Sequence, residues 1–242
     1  MPKIAAKATA GVMLVGGFVL VGPALPASAD EPDSPNCAED KCVALTFDDG
    51  PGEHTDRLLN ILDEHDAKAT FYLLGSQVDG YKDEVKRMAA DGHEVGNHTW
   101  DHADLTTLSA DEIRDDLART DEAIGNITDE DPGTMRPPYG SLNDTAREAI
   151  DHPMLLWDVD TLDWQHRDGD KIVDIVQNET SPGSVLLFHD IHETTVDAIP
   201  AVLDTLSEDG YEFVTVSDLF EDDLEPGTVY SDARSEHTGQ LQ

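Results

Sequence analysis

The chain has 242 residues, of which 52 are acidic and 15 are lysine or arginine, so its formal net charge at pH 7 is −37. Such an acidic surface repels phosphate backbones and anionic lipid headgroups, which excludes nucleic acid and anionic membranes as expected partners. The length suits one domain with a buried core, and we expect a monomer.

The first 29 residues have the pattern of a secretory signal peptide. Lys3 and Lys7 give a positive start, residues 11–25 form an apolar stretch, and residues 27–29 are small. A retained membrane anchor is the alternative, but the apolar stretch is shorter than the about 20 residues that span a bilayer. We therefore predict a protein that is secreted to the extracellular space or cell wall, with no stable membrane insertion after cleavage.

Three further segments complete the predicted organisation. Residues 30–41 are a polar linker, residues 42–220 are the folded domain, and residues 221–242 are an acidic tail that we expect to be disordered or loosely attached. Cys37 and Cys42 are the two cysteines of the chain. In an exported protein such a pair usually forms a disulfide, which here would close a small loop before the first strand.

Strand and helix patterns alternate along the domain. Apolar runs predict strands over residues 43–49, 69–74, 93–98, 154–160, 184–189 and 211–216. Helical periodicity predicts helices over residues 55–66, 81–90, 109–124, 143–150, 170–178 and 194–208. Thr55 and Asn143 are predicted to cap the helices that they begin, and Ser109 with Glu112 approximates a capping box. This alternation is typical of βα units with a mainly parallel sheet. Polar residues at several strand ends indicate a barrel whose site lies at the carboxyl rim.

The first strand ends in two adjacent carboxylates, Asp48 and Asp49, before Gly50 and Pro51. Ligands of α/β folds bind at the carboxyl ends of strands. Because neighbouring strand residues point to opposite faces, both acids can serve one site only if the backbone bends, and we assign that bend to Gly50. A polar turn without a chemical role is the alternative.

The sequence HTWDH at residues 98–102 carries two histidines four residues apart. Imidazoles at this spacing meet on one side of a turn and suit a divalent metal, although the spacing alone is more often incidental. Together with Asp48 or Asp49, His98 and His102 would form a two-imidazole, one-carboxylate site of the kind used by zinc hydrolases.

Later strand ends add further polar and aromatic side chains. These are Arg136, Asp160, Asp163, Trp164 and His189. Each has an ordinary structural explanation, such as a surface ion pair, a solvated carboxylate, a packed aromatic ring or a rim histidine. Their order on successive strand ends nevertheless favours one shared site.

Five segments together resemble a known family. They are TFDDGP at residues 46–51, HTWDH at 98–102, RPPYG at 136–140, DTLDW at 160–164 and LFH at 187–189. In this order they resemble the five motifs of the polysaccharide deacetylases, also called the NodB-homology family or carbohydrate esterase family 4. The resemblance covers roughly residues 43 to 216, and it implies an α/β fold of the distorted (β/α) barrel type.

The resemblance implies a metal centre and a base beside it. Asp49, His98 and His102 would bind one divalent metal ion, for which zinc is expected and cobalt or another divalent ion is the alternative. Asp48 would be the general base that takes a proton from the attacking water. Arg136 would hold Asp48 in position by a charge-assisted contact.

The resemblance also implies an acid and a substrate pocket. His189 would protonate the departing amine, and Asp163 would orient His189 and favour its charged form. The backbone N–H of Tyr139 would stabilise the oxyanion together with the metal. Trp164 and Leu187 would form the wall of the pocket that takes the acetyl methyl group.

The implied reaction is the metal-dependent hydrolysis of N-acetyl groups on N-acetylglucosamine residues. The substrate would be an extracellular or cell-wall polysaccharide or oligosaccharide of the peptidoglycan or chitin type, and acetate would be released. The main alternative is an acetylxylan esterase, which uses the same site on an ester. A non-catalytic carbohydrate-binding relative and a different metal hydrolase, such as a phosphoesterase with a second metal, are the others.

Overall fold

The computed structural model describes residues 35–221 and 223–235. The predicted signal peptide, residues 1–29, lies outside the described residues, as do the start of the linker and the last residues of the tail. Within the described part, no helix combines the length and the apolar character that a membrane crossing requires.

Eight strands lie in the described part of the chain. They are β1 (Lys41–Asp48), β2 (Thr70–Leu73), β3 (Glu94–Asn97), β4 (Met154–Leu155), β5 (Val159–Asp160), β6 (Val185–His189), β7 (Tyr211–Phe213) and β8 (Val229–Tyr230). The α-helices there are α1 (Thr55–Glu64), α2 (Gly75–Val78), α3 (Lys82–Ala90), α4 (Ala110–Thr128), α5 (Asp144–Ala149), α6 (Asp163–His166), α7 (Gly169–Glu179), α8 (Glu193–Glu208) and α9 (Val216–Leu219).

The strands pair in parallel around β1. The main sheet has the order β3-β2-β1-β6-β5, and β7 pairs with the start of β1. Parallel bridges from Met135 reach Asn97, at the end of β3, and Met154, at the start of β4, which in turn pairs with β8. The strands therefore curve into a distorted (β/α) barrel, which confirms the predicted fold class.

Strand β1 is buried on both faces because its alternate residues enter two cores. Leu45 and Phe47 belong to the main core, which includes apolar residues of α1, α7 and α8. The ring of Phe47 stacks against those of Phe71 and Phe188, with centroids 5.4 Å away in both cases. Ala44 belongs to a second core cluster. This double burial fixes the direction in which the carboxyl end of β1 points.

Local capping signals explain the ends of several helices. The predicted capping box of Ser109 and Glu112 is present at the start of α4, and that helix continues to Thr128, four residues beyond the predicted end. Asn143 caps α5 as predicted, by accepting the N–H of Ala146. The prediction that Thr55 caps α1 is wrong, since this residue lies inside the helix and its hydroxyl is used elsewhere.

The strand predicted over residues 154–160 is two short strands, β4 and β5, which pair with different partners. The side chain of Arg136 causes part of this break, because it takes the carbonyl oxygens of Leu155 and Leu156 as hydrogen-bond acceptors. The carboxylate of Asp158 accepts the N–H of Val185 at 2.7 Å, in place of a backbone partner. The predicted strand at 211–216 likewise ends early, at Phe213 in β7.

The predicted tail is attached to the domain over most of its described length. Strand β8 pairs with β4, and Tyr230 is only 4% exposed, with its ring 5.2 Å from that of Phe220. A loosely attached segment is therefore wrong for residues 223–235. The segment is acidic, but a buried aromatic side chain, a short ladder and the ion pair of Arg234 with Asp158 hold it against the domain.

A disulfide closes the loop before β1. Cys37 and Cys42 are bonded to each other, and Cys42 is the second residue of the strand. The carboxylate of Asp40 accepts the N–H of Asn36 at 2.9 Å inside this loop. The described end of the predicted linker is therefore a closed turn that adjoins the first strand.

Candidate active site

The carboxyl ends of the strands surround a cavity of about 640 Å³. Asp48 and His189 occupy paired positions at the ends of β1 and β6, and both line this cavity. Its wall contains every predicted site residue except Arg136 and Asp163, which are buried and 0% exposed. The sequence motifs, which are far apart along the chain, therefore meet at one rim.

Asp49, His98 and His102 form a group of three potential metal ligands. The Oδ1 atom of Asp49 lies 3.5 Å from Nε2 of His98 and 3.3 Å from Nε2 of His102. The three ligand atoms lie within 4.8 Å of one another. Among the residues that the structure describes, this is the one such group of three or more histidine, cysteine or acidic side chains.

The chemistry of this group fits a divalent cation. Atoms bound about 2 Å from a shared ion are separated by roughly 3–3.5 Å, and both distances from Oδ1 of Asp49 agree with this. The Oδ1 atom of Asp49 is buried and has no hydrogen-bond partner, which leaves a carboxylate oxygen for an ion. The Nδ1 atom of His98 donates to the carbonyl of Arg136 at 2.7 Å, so Nε2 of His98 is the unprotonated nitrogen that can coordinate.

The charges around Asp49 favour its ionised form. Burial alone would raise the pKa of this carboxyl, but attraction to the imidazoles of His98, His102 and His189 lowers it to about 2. Burial lowers the pKa of His102, and this favours the neutral ring that a metal needs. The ionised form of Asp49 and the neutral form of His102 are the forms in which these side chains bind a metal.

The backbone bend that brings both acids into the cavity lies at Asp49, which has a left-handed φ of 71°. The assignment of this bend to Gly50 is therefore wrong. Gly50 serves a different purpose, because a Cβ at this position would lie 2.5 Å from Oδ1 of Asp190. The glycine makes room for a buried carboxylate behind the loop.

Arg136 lies inside the barrel and holds Asp48. Its Nη1 donates to Oδ1 of Asp48 at 2.8 Å and to Oγ1 of Thr46 at 2.7 Å. The guanidinium also lies 4.3 Å from the ring centroid of Tyr72, at cation–π distance. Because Oδ1 is occupied in this way, Asp48 presents Oδ2 to the ligand group, 3.7 Å from Nε2 of His98.

His189 and Asp163 form a second, buried pair. The Nδ1 atom of His189 donates to Oδ1 of Asp163 at 2.8 Å. Oδ2 of the same carboxylate accepts the N–H of His189 and the hydroxyl of Thr195, at 2.7 and 2.8 Å. Burial alone would lower the pKa of His189, but the bond and the charge of Asp163 raise it to about 9. Such a histidine is protonated at neutral pH and can donate a proton from Nε2.

The predicted pocket residues surround the opening. Tyr139 is 66% exposed, and its ring lies edge-on to His102 with the centroids 4.4 Å apart. Trp164 is 47% exposed, whereas Leu187 is buried at the base of the cavity wall. Two exposed aromatic faces beside a polar centre are suited to stacking on sugar rings.

Sequence reasoning missed further residues of the site. Trp157, Arg167, Ile191 and His192 line the cavity, although no motif singled them out. Asp190, which no motif includes, is 0% exposed, and its Oδ2 accepts a hydrogen bond from the Thr55 hydroxyl. Position next to His189 was the one sequence signal that pointed to Asp190, Ile191 and His192.

Several known proteins are similar to this chain in sequence. A family model described as "Polysaccharide deacetylase" matches residues 35–153. Peptidoglycan-N-acetylglucosamine deacetylase PgdA of Listeria monocytogenes is 41% identical over 209 residues, which cover 86% of this chain and 45% of the relative. A peptidoglycan-N-acetylglucosamine deacetylase of Bacillus cereus is 40% identical over 74% of this chain and 70% of the relative. The chain thus spans less than half the length of the Listeria protein.

Solved structures agree with these matches. The T48 deacetylase with substrate superposes with a TM-score of 0.80 and 47% identity, over 82% of this chain and all of that chain. The Xyl-CE4 domain of a multidomain xylanase from the hindgut metagenome of Trinervitermes trinervoides gives a TM-score of 0.78 and 33% identity, over 81% of this chain and all of that chain. The similarity therefore includes the barrel and the rim that carries the site.

Proposed function

The chain belongs to the polysaccharide deacetylase family, and on this basis we propose that it hydrolyses N-acetyl groups on N-acetylglucosamine residues of an extracellular glycan of the peptidoglycan or chitin type. One observation carries the proposal: the Asp49–His98–His102 group shares a cavity with Asp48 and His189. A ligand group, a base and an acid are the parts that metal-assisted hydrolysis of an amide requires.

We propose that Asp49, His98 and His102 hold one divalent metal ion, with zinc as the expected species and cobalt or another divalent ion as alternatives. A bound ion of this kind supplies a Lewis acid for the acetyl carbonyl and lowers the pKa of water to about 7. The second imidazole nitrogen of His98 is fixed by the carbonyl of Arg136, which holds the ring in a coordinating orientation.

Asp48 acts as the general base in this proposal. Its Oδ2 accepts a proton from the attacking water while the water oxygen forms a bond to the acetyl carbon. Arg136 keeps the carboxylate in this orientation, because a buried guanidinium bonded to four acceptors cannot turn away without losing them. The backbone N–H of Tyr139 would donate to the oxyanion that develops on the acetyl oxygen.

His189 acts as the general acid. It donates its Nε2 proton to the sugar nitrogen as the carbon–nitrogen bond breaks, so that a free amine and acetate are formed. Asp163 positions the ring and favours its charged form. Leu187 and Trp164 form the wall for the acetyl methyl group.

The Asp48→Asn variant tests the base. Asparagine keeps an oxygen for Arg136 but cannot take a proton, so we expect turnover on N-acetylglucosamine oligomers to fall about 100-fold or more while the bound metal is retained. The matched control is Asp160→Asn, because Asp160 lines the same cavity but bonds the backbone N–H of Leu162. Turnover by Asp48→Asn at the level of the control would overturn the assignment.

Acetylxylan is the second candidate substrate. The identity with the Xyl-CE4 domain of a xylanase favours it, since ester hydrolysis needs the same ligand group, base and acid. Acetate release from N-acetylglucosamine oligomers, measured beside acetate release from acetylated xylan, separates the two. A higher kcat/KM on the xylan would replace the N-deacetylase proposal by the esterase.

We also propose that the protein works outside the cell or in the cell wall as a monomer. The signal-peptide pattern of residues 1–29 supports export, and the strongly acidic composition supports a surface that repels copies of itself. N-terminal sequencing of the protein recovered from the medium should show cleavage after residue 29. Light scattering should give the mass of one chain.

A further inference from the structure

Arg167 lines the active-site cavity, and within residues 35–221 and 223–235 its guanidinium has neither an ion pair nor a hydrogen bond. We propose that Arg167 binds a carboxylate carried by a sugar next to the one that is deacetylated. The ligand is therefore a carboxylate-bearing glycan, in which the carboxylate belongs to the lactyl ether of muramic acid or to a uronic acid. This inference rests on the proposed function and narrows its substrate.

Acidic residues outnumber lysine and arginine by 52 to 15 in the chain, and five of its eight arginines form an ion pair with an acidic residue. Arg119, Arg147 and Arg167 form none within the described residues, and Arg167 is the one of these three that lines the active-site cavity.

Three acids near Arg167 in sequence are committed elsewhere, and the exposed Asp170, three residues away, forms no ion pair with it within the described residues. Asp163 bonds His189, and the side chain of Asp168 caps α7. Asp160 accepts a backbone N–H within its own turn. The guanidinium is therefore left for a ligand, although acids are abundant along the chain.

The local backbone fixes Arg167 to the catalytic pair. Helix α6 begins after Leu162 and ends before Arg167, and both flanking residues have left-handed φ values, of 52° and 51°. Residues other than glycine adopt this conformation at a cost, and such costs concentrate at functional sites. The N–H of Arg167 donates to the carbonyl of Asp163 at 3.2 Å. The residue that presents the guanidinium is thus bonded directly to the residue that holds His189.

Charge explains why an anionic glycan needs such a residue. The cavity contains Asp48, Asp49 and Asp160, and the chain as a whole has a net charge of −37, so an anionic ligand is repelled on approach. A planar guanidinium with paired N–H donors matches a carboxylate and offsets that repulsion locally. His192 also lines the cavity. Burial lowers the pKa of His192, and the positive charge of Arg167 lowers it in addition, which indicates that His192 and Arg167 lie close together.

The cavity is large enough for a neighbouring sugar. Its volume of about 640 Å³ is typical of pockets that take ligands larger than one acetylated sugar. Trp164 shares the wall and can stack on a ring while the guanidinium bonds the substituent of that ring. The sugar that is deacetylated beside His189 and the neighbouring sugar that Arg167 binds can therefore occupy the cavity together.

The test compares Arg167→Gln with the wild type on three glycans. One is a neutral N-acetylglucosamine oligomer, the second alternates N-acetylglucosamine with muramic acid that has a free lactyl carboxylate, and the third is the second with that carboxylate converted to an amide. We expect kcat/KM to fall about tenfold on the free carboxylate and less than twofold on the other two. Arg167→Lys should retain part of the activity on the free carboxylate, because lysine keeps the positive charge but lacks the paired N–H donors of the guanidinium.

Lys171→Gln is the matched control, since it removes one exposed positive charge four residues further along, in α7 and outside the cavity wall. It should change none of the three values. Equal losses on all three glycans would overturn the proposal for Arg167, as would the absence of a loss on both the muramic acid glycan and an acetylated xylan with uronic acid side groups. Wild-type protein that releases acetate from the neutral oligomer but from neither carboxylate polymer would also overturn it and would leave the deacetylase function intact. If the wild-type protein released acetate from none of these glycans, the proposed deacetylase function would itself be refuted.

An acetylated xylan with uronic acid side groups separates the two carboxylate sources. A loss in Arg167→Gln confined to this polymer supports carboxylate binding and assigns the carboxylate to uronic acid. A loss confined to the muramic acid glycan supports the lactyl source. Equal kcat/KM values for the variant and the wild type on both polymers refute carboxylate binding.

Discussion

The pairing of His189 with Asp163 sets the pH range in which the proposed acid can work, and Asp163→Asn tests it. The pKa of His189 is raised to about 9, mainly by Asp163 and to a smaller extent by the charges of Asp48 and Asp49, against the opposing effect of burial. Asparagine removes the negative charge and leaves the burial, so the pKa should fall to the ordinary value of 6.5 or below. The variant side chain has nearly the same size, which limits the change in packing.

The magnitude follows from the two pKa values. At pH 8, a histidine with a pKa of about 9 is about 90% protonated, whereas one with a pKa of 6.5 is about 3% protonated. We therefore expect kcat/KM at pH 8 to fall about 30-fold through protonation alone, with most of this loss regained at pH 6. The pairing also stabilises the fold fully below pH 6.5, and this contribution is lost as pH rises through 9.

The assay is the pH profile of kcat/KM, together with an NMR titration of the His189 ring in metal-free protein. Thr195→Val is the control, because it removes another contact of Asp163 and leaves the histidine pair. It should move the alkaline limb of the profile by less than about one pH unit. An alkaline limb in Asp163→Asn that coincides with that of the wild type would show that His189 is not the titrating acid.

Three further predictions follow from the site and the fold. His98→Ala should lose bound metal and activity together, as measured by metal analysis after dialysis, and retained metal would exclude His98 as a ligand. Gly50→Ala should lower metal affinity, because its Cβ would meet Asp190, whereas Gly80→Ala, with no atom within 4 Å of its Cβ, should leave that affinity unchanged. Tyr230→Ala should reduce the free energy of unfolding by about 3 kcal/mol in denaturant titration, and a change below about 0.5 kcal/mol would mean that the terminal segment is not docked.

The parts of the fold that depend on local sequence were predicted, and the parts that depend on distant contacts were not. The apolar run of β1 and the capping box at Ser109 each lie within a few consecutive residues. The break between β4 and β5 depends on Arg136, which approaches from another strand end and takes two carbonyl groups. Strand β8 is two residues long inside an acidic segment, so no periodicity predicts it. Pairing with β4 and the buried ring of Tyr230 hold it in place, and both depend on residues far away in the sequence.

The candidate site shows the same division between residue identity and residue placement. The sequence motifs identified the chemical groups of the site but not the backbone turns that orient them. These turns have left-handed φ values at Asp49, Thr99, His102 and Tyr139, none of which is a glycine. Successive side chains of a strand point to opposite faces of the sheet. Neighbouring reactive side chains can therefore enter one site only where the backbone leaves the extended conformation. Residues other than glycine adopt a left-handed conformation at an energetic cost, so contacts with surrounding residues have to maintain it. The carbonyl of Arg136 bonded to His98 and the tyrosine ring against His102 are two such restraints. The strain at these turns is therefore maintained by the same side chains that complete the site.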